Sequence, residues 1–168
     1  MFANDQAAER PGANVEASLD APSAGGDTTL IESRFGHLEF RSENALTLPQ
    51  GVLGFSGYHD FCVANLPDGK HPQFKVLQCL TEPDVAFLVV PFNIDSEAID
   101  EADLDDACEA LSIEREELAM FLIVTVRREG DSASVSVNLR APLFIDRGKS
   151  TGRQYVMPNN KYSIRHGL

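Results

Sequence analysis

The chain has 168 residues and a formal net charge of −12, with 43% apolar and 24% charged residues, values of a single globular domain rather than a collagen-like, disulfide-stapled or wholly disordered chain. So large an acidic excess argues against a stand-alone nucleic-acid binder, which needs Lys and Arg against phosphates, and against docking on an anionic membrane. The longest apolar runs, Ala86–Phe92 and Ala119–Val124, fall far short of a bilayer span of roughly 20 residues, and Met1–Gly12 has no stretch of signal-peptide character, so a cytoplasmic protein is expected.

Residues 1–29 are rich in Ala, Gly, Pro, Ser, Asp and Asn. They have too little apolar surface to offset the entropy of ordering, which predicts a disordered N-terminal tail and a folded domain over 30–168. Short strands follow. Leu30–Phe35 and Leu38–Phe40 flank Gly36, a turn or bulge. Ala45–Leu48 runs into Pro49 and a loop carrying Gly51, Gly54 and Gly57. Phe61–Leu66 ends at Pro67-Asp68-Gly69, where proline presets one backbone angle and glycine accepts a positive φ. Phe74–Leu80 and Ala86–Phe92 are separated by the Glu82-Pro83-Asp84 turn.

Helical spacing is confined to about residues 97–118. Over Glu97–Leu111, residues Ile99, Leu104, Ala107, Cys108 and Leu111 share one side. Asp95, Ser96 or Asp100 could cap its start, and Ile113–Leu118 adds a second short turn. Strands resume at Met120–Arg128, Ala133–Leu139, Pro142–Asp146 and Gln154–Met157. In Ala133–Leu139, polar and apolar side chains alternate, the signature of one wet and one buried face. The pattern predicts a mainly β, small antiparallel barrel-like domain with one or two short helices inserted. Phe40, Phe61, Phe74, Phe87, Phe121 and Phe144 lie on strand-like segments and are read as core. Phe55, in the glycine-rich loop, is either a plug over the barrel mouth or an exposed contact.

Charge is unevenly placed. Residues 93–117 carry eleven acids and one base, whereas residues 118–168 carry three acids and eight bases. A run of this kind is either a solvated helix face or an electrostatic handle for a basic partner that also repels nucleic acid.

Candidate chemistry falls away on inspection. Gly148-Lys149-Ser150 resembles the end of a phosphate-binding loop, but Leu143 stands where that motif needs glycine, and no helix follows. Gly51, Gly54 and Gly57 lie outside any βαβ unit, so a dinucleotide fingerprint is excluded. His59 and Cys62 have metal-pair spacing without a second pair. Ser56, His59 and Asp60 are too close in sequence for a nucleophile, base and orienting acid. Cys62, Cys79 and Cys108, odd in number and widely spaced, read as reduced thiols. No catalytic, cofactor or metal site is expected.

A series of short motifs is more informative. It comprises Arg34-Phe35-Gly36, Leu48-Pro49-Gln50-Gly51-Val52-Leu53-Gly54-Phe55, Leu77-Gln78-Cys79, Pro83-Asp84 before Ala86-Phe87, and Ile123-Val124-Thr125-Val126. Val137-Asn138-Leu139-Arg140-Ala141-Pro142-Leu143-Phe144-Ile145 and the closing Gly152-Arg153-Gln154 and Tyr162–Leu168 complete it. In order and spacing these resemble the flagellar assembly factor FliW family from about Leu30 to the end. Cys79, Arg140 and Asp146 depart from that pattern, and the segment before Leu30 has no counterpart in it.

The resemblance implies a β-barrel-like, non-enzymatic regulator. Its partners would be the RNA-binding translational regulator CsrA, whose repression of flagellin mRNA it relieves, and flagellin, which competes for it. Leu53, Phe55, Gln78, Asn138 and Arg165, from the motifs, and Asp103, Asp105 and Asp106, from the acidic run, are the candidate partner-binding residues. A small-ligand- or flavin-binding barrel and a structural subunit using exposed strand edges remain alternatives, because fold alone does not specify function.

Overall fold

The computed structural model describes residues 27–168. The predicted tail lies outside the described residues up to residue 26, while Thr28 and Thr29 already belong to the first strand. Eleven strands and one α-helix follow in order. They are β1 (Thr28–Ser33), β2 (Gly36–Arg41), β3 (Ala45–Thr47), β4 (Asp60–Asn65), β5 (Lys75–Cys79), β6 (Ala86–Pro91), α1 (Glu101–Leu111), β7 (Leu118–Glu129), β8 (Ser132–Val137), β9 (Leu143–Asp146), β10 (Thr151–Gln154) and β11 (His166–Gly167). A 3₁₀ turn precedes β3 and another, Arg115–Glu117, follows α1.

β1 and β2 form a separate hairpin. The other strands are ordered β11-β8-β7-β6-β5-β4-β3-β10-β9, and β9 pairs back onto β7. Seven strands thus surround an interior, and every pairing among them is antiparallel except β3–β10, a single parallel contact between Thr47 and Thr151. That sparse seam makes the domain barrel-like and not a fully closed barrel.

Strand alternation sorts side chains into two layers. Phe61 of β4, Leu77 and Cys79 of β5, and Leu143 and Ile145 of β9 fill the barrel interior, with Ala119, Phe121 and Ile123 of β7 packed against them. The intervening residues face outward into two further cores. Leu118, Met120, Leu122 and Val124 of β7 and Phe144 of β9 meet Leu104, Ala107 and Cys108 of α1. Ala64, Val76 and Ala86 are covered by Leu38 of the β1–β2 hairpin. The barrel is therefore flanked by a helical layer on one side and a hairpin on another. Of the six phenylalanines read as core, Phe61 and Phe144 are fully buried; the other four are half-buried.

Two predicted elements are displaced. The helix starts at Glu101 rather than Glu97, because Asn93 folds the preceding segment into a turn. Its Oδ1 accepts the Asp95 N–H at 3.1 Å and its carbonyl accepts the Ser96 N–H at 3.0 Å, a local side-chain bond that competes with helix. The strand read at Gln154–Met157 lies at Thr151–Gln154. Gly152 permits this earlier register, since a Cβ there would come within 2.9 Å of the Phe144 carbonyl. The two-residue β11 carries too little pattern to be read from sequence.

The three cysteines are free and buried. Burial, followed by the neighbouring Cys79, pushes the Cys62 thiol up to about 12. Thiolate is the reactive form, so none of the three is expected to label with maleimide in the folded chain at neutral pH, and all three should label in guanidinium. Rapid labelling of the native chain would contradict this burial.

Candidate interaction surfaces

α1 follows from its residues. Ala102, Leu104, Ala107, Ala110 and Leu111 favour helix, and Leu104, Ala107 and Cys108 bury one stripe. The helix ends in a Schellman motif: Ser112 adopts a left-handed φ of 54°, its N–H reaches the Glu109 carbonyl, and the Ile113 N–H reaches Cys108 at 3.0 Å. The opposite face exposes Glu101, Asp105, Asp106 and Glu109, and Glu114, Glu116 and Glu117 continue the exposed acids beyond it. No basic residue occupies the last turn. An acid such as Glu109 there opposes the helix dipole. Glu101 and Asp103 in the first turn suit the dipole, so only the acids toward the C-terminal end run against the helix's own stability.

The three aspartates named from sequence differ in situation. Asp103 is 16% exposed and accepts hydrogen bonds from the Tyr162 hydroxyl and Lys161. Chiefly the Tyr162 hydroxyl, then Lys161, holds its carboxyl below the usual range. Asp105 is open to solvent and pairs with Arg115 at 3.3 Å. Asp106 is exposed, without an ion-pair partner among the described residues.

A second surface surrounds the glycine-rich loop. Gly51 has φ +63°, and the Phe55 N–H closes a tight turn on the Val52 carbonyl at 2.7 Å. Leu53 at the tip is 56% exposed. Phe55 is 39% exposed, and its ring stands edge-on to Phe87 with centroids 5.0 Å apart, a favoured aromatic geometry.

Gln154, missed in the sequence, ties this tip down. Its Oε1 accepts the Leu53 N–H at 2.9 Å, and its Nε2 donates to the Ala141 carbonyl at 3.0 Å. Asn138 lies at the other end of that link. Its Oδ1 accepts the N–H groups of Arg140 and Ala141 at 3.1 and 3.0 Å, forming the turn into β9. Leu53 and the Asn138 turn are thus linked through the Gln154 amide and Ala141.

Gln78 has no exposed surface. The two N–H groups of its Nε2 point into a ring of four carbonyls, those of Cys79, Glu82, Pro83 and Val85 at 2.9–3.4 Å, which shapes the β5–β6 turn from behind. It can act on a partner only through that turn. Arg165 is exposed beside β11, its backbone N–H held by the Ser163 hydroxyl at 3.0 Å.

The three departures from the motif pattern each have a local partner. Cys79 Sγ lies 3.3 Å from the Thr81 hydroxyl, Arg140 donates to Asn160 at 2.7 Å, and Asp146 accepts from Lys149 at 2.7 Å. The last pair sits in the β9–β10 turn, which places Gly148-Lys149-Ser150 between strands.

Among the described residues no group of three or more His, Cys, Asp or Glu side chains could hold a metal ion. No described helix is long and apolar enough to cross a membrane. What the fold does present is a barrel-like β domain with an acidic helical face and an exposed apolar loop tip.

A family model described as FliW protein matches residues 29–168. The flagellar assembly factor FliW of Desulfitobacterium hafniense strain Y51 is 37% identical over 140 residues, covering 82% of this chain and 90% of that protein. The flagellar assembly factor FliW of Borreliella afzelii is 34% identical over 122 residues, covering 70% and 86%. A crystal structure of the flagellar assembly factor FliW superposes with a TM-score of 0.65 at 26% identity, covering 83% of this chain and 96% of that one. The chain belongs to the FliW family of flagellar assembly factors.

Proposed function

We propose that this chain is a non-enzymatic, cytoplasmic regulator that captures a CsrA-type RNA-binding translational regulator and so relieves its repression of flagellin mRNA. Flagellin is the rival partner, and neither a cofactor nor direct contact with nucleic acid or membrane is required. The observation that carries this reading is the acidic face of α1, whose exposed acids run on past the first turn, where the helix dipole favours them, to Glu109 and the acids beyond the helix, where it does not. An RNA-binding regulator must present a basic surface, and opposed charge accelerates such an encounter. Carboxylates held beside the RNA path would disfavour RNA, and the antagonism is reciprocal. The Leu53–Phe55 tip supplies an apolar contact of the kind that fixes register at an interface.

The test is calorimetric titration with CsrA, followed by competition with flagellin. Reversing the exposed Asp105 and Asp106 to Lys is expected to weaken CsrA binding by about tenfold at low salt, with a smaller loss at high salt as screening removes the attraction. Unchanged affinity at both salt concentrations would reject the electrostatic reading.

A further inference from the structure

The two ends of the barrel differ. At one, Val52 of the glycine-rich loop packs into the interior. At the other lies a cleft of about 1100 Å³ between the barrel and the β1–β2 hairpin. Its floor is made of interior side chains, Leu46, Val63, Ala119 and Phe121, and the last three stay half-buried. Strand alternation turns Thr28, Leu30, Glu39 and Arg41 of the hairpin toward this cleft, and Ile31 and Leu38 toward the core. Leu30 is 64% exposed there. Barrel mouths are common binding sites, and uncovered apolar surface in one marks a place where something docks.

The chain itself supplies an occupant. Residues 1–26 precede the described part, which enters β1 at Thr28, on the wall of the cleft. Over Ala13–Ala21 every odd-numbered residue is apolar and every even-numbered one polar: Ala13, Val15, Ala17, Leu19 and Ala21 alternate with Asn14, Glu16, Ser18 and Asp20. Strict alternation of this length is the pattern of a strand with one face to bury. Pro22–Asp27, which contains Gly25 and Gly26, joins it to β1. Six residues reach roughly 20 Å, and Pro and Gly favour a reversal of direction. Among the described residues β1 pairs only with β2, so its other edge is open to a strand. Charge agrees as well. The cleft carries Arg41, Lys75 and Arg147 against Glu39 and Glu43, a cationic balance in a chain of net charge −12, whereas the charged residues of the alternating stretch are Glu16 and Asp20.

We propose that Ala13–Ala21 turns back in cis and docks in the barrel-mouth cleft beside β1, with Val15 and Leu19 toward the Val63–Phe121 floor and Glu16 and Asp20 among the cations of the rim. A segment on so short a tether acts at an effective concentration in the millimolar range, so a contact too weak to hold a free peptide is populated within the chain. The cleft is then filled by the chain's own strand, and an apolar, acidic peptide from another protein must displace that strand to enter.

The experiment uses the full chain with Ser18→Cys carrying a nitroxide spin label; the native cysteines are buried and stay unlabelled. Position 18 is on the polar side of the alternation, so the label leaves the apolar side free. Strong paramagnetic broadening is expected at the amides of Leu30, Lys75 and Ala119, around the cleft, and none at Leu53, at the far end of the barrel. Adding Val15→Asp and Leu19→Asp to the labelled chain should reduce that broadening several-fold, and neither position belongs to the described fold. Broadening absent from the cleft, equal at both ends of the barrel, or unchanged by the two aspartates overturns the docking. A mixture of spin-labelled chain with isotope-enriched, unlabelled chain separates the remaining case: broadening of the cleft amides of the enriched copy places the segment in a neighbour and overturns the cis arrangement.

Discussion

Gly51→Ala is expected to lower the free energy of unfolding by about 2–4 kcal/mol, the range of a strained backbone combined with steric overlap. A Cβ at Gly51 would stand 2.3 Å from the Phe55 carbonyl oxygen and 2.9 Å from both Ser56 Cα and the Tyr58 carbonyl, at a φ of +63°. All three obstacles are backbone of the same loop and cannot rotate away. Gly54→Ala is the control. Its φ is +84°, but nothing lies within 4 Å, so only the conformational cost of about 1–2 kcal/mol applies. Urea unfolding of both variants measures the difference. Equal destabilisation would show that close approach is not what position 51 requires. The consequence reaches function, because the loop that Gly51 closes holds Leu53 and Phe55 at the surface. A Gly51→Ala chain that remains folded should lose partner binding more severely than Gly54→Ala.

The second large effect is at the junction of barrel and helix. Phe144→Ala should cost about 3–5 kcal/mol, the loss typical of a large aromatic deleted from a packed core. Phe144 has no exposed surface, pairs across β9 with Met120 and Arg153, and stands edge-on to Tyr155 at 5.8 Å between centroids. It points outward into the layer shared with α1, whereas its neighbours Leu143 and Ile145 point into the barrel. The acidic face therefore depends on a residue packed under the buried side of its helix. Denaturant unfolding checks the magnitude, and a loss below about 1 kcal/mol would mean that the helical layer repacks around the gap.

Most of the fold was legible because two periodicities suffice for it. The alternation along β7 separates Ala119, Phe121 and Ile123 from Leu118, Met120 and Leu122, and a period of two is visible in sequence. The stripe Leu104, Ala107, Cys108 and Leu111 gives α1 in the same way. The helix start was not legible, because the Asn93 turn is a side-chain-to-backbone bond that periodicity does not register. Nor was the position of β10, where a glycine forced by packing against Phe144 decides the register.

The candidate surfaces were legible to a lesser degree. Composition exposes the acidic run, but it cannot distinguish the open Asp106 from Asp103, which lies beneath Tyr162. Lys161, Tyr162 and Gln154 act across 13 to 101 residues of chain, and no local pattern announces such pairings. Gln78 and Asn138 were found as motif members, but their bonds run to backbone carbonyls and amides. In this structure both side chains shape turns.

The helix and the β1–β2 hairpin rest on separate patches of the barrel's outer face, in clusters that share no residue. Each flank can therefore change its sequence without renegotiating its packing with the other. A lineage can retune the charged side toward one interaction partner while the hairpin side drifts or specialises independently, with the barrel wall as the common floor.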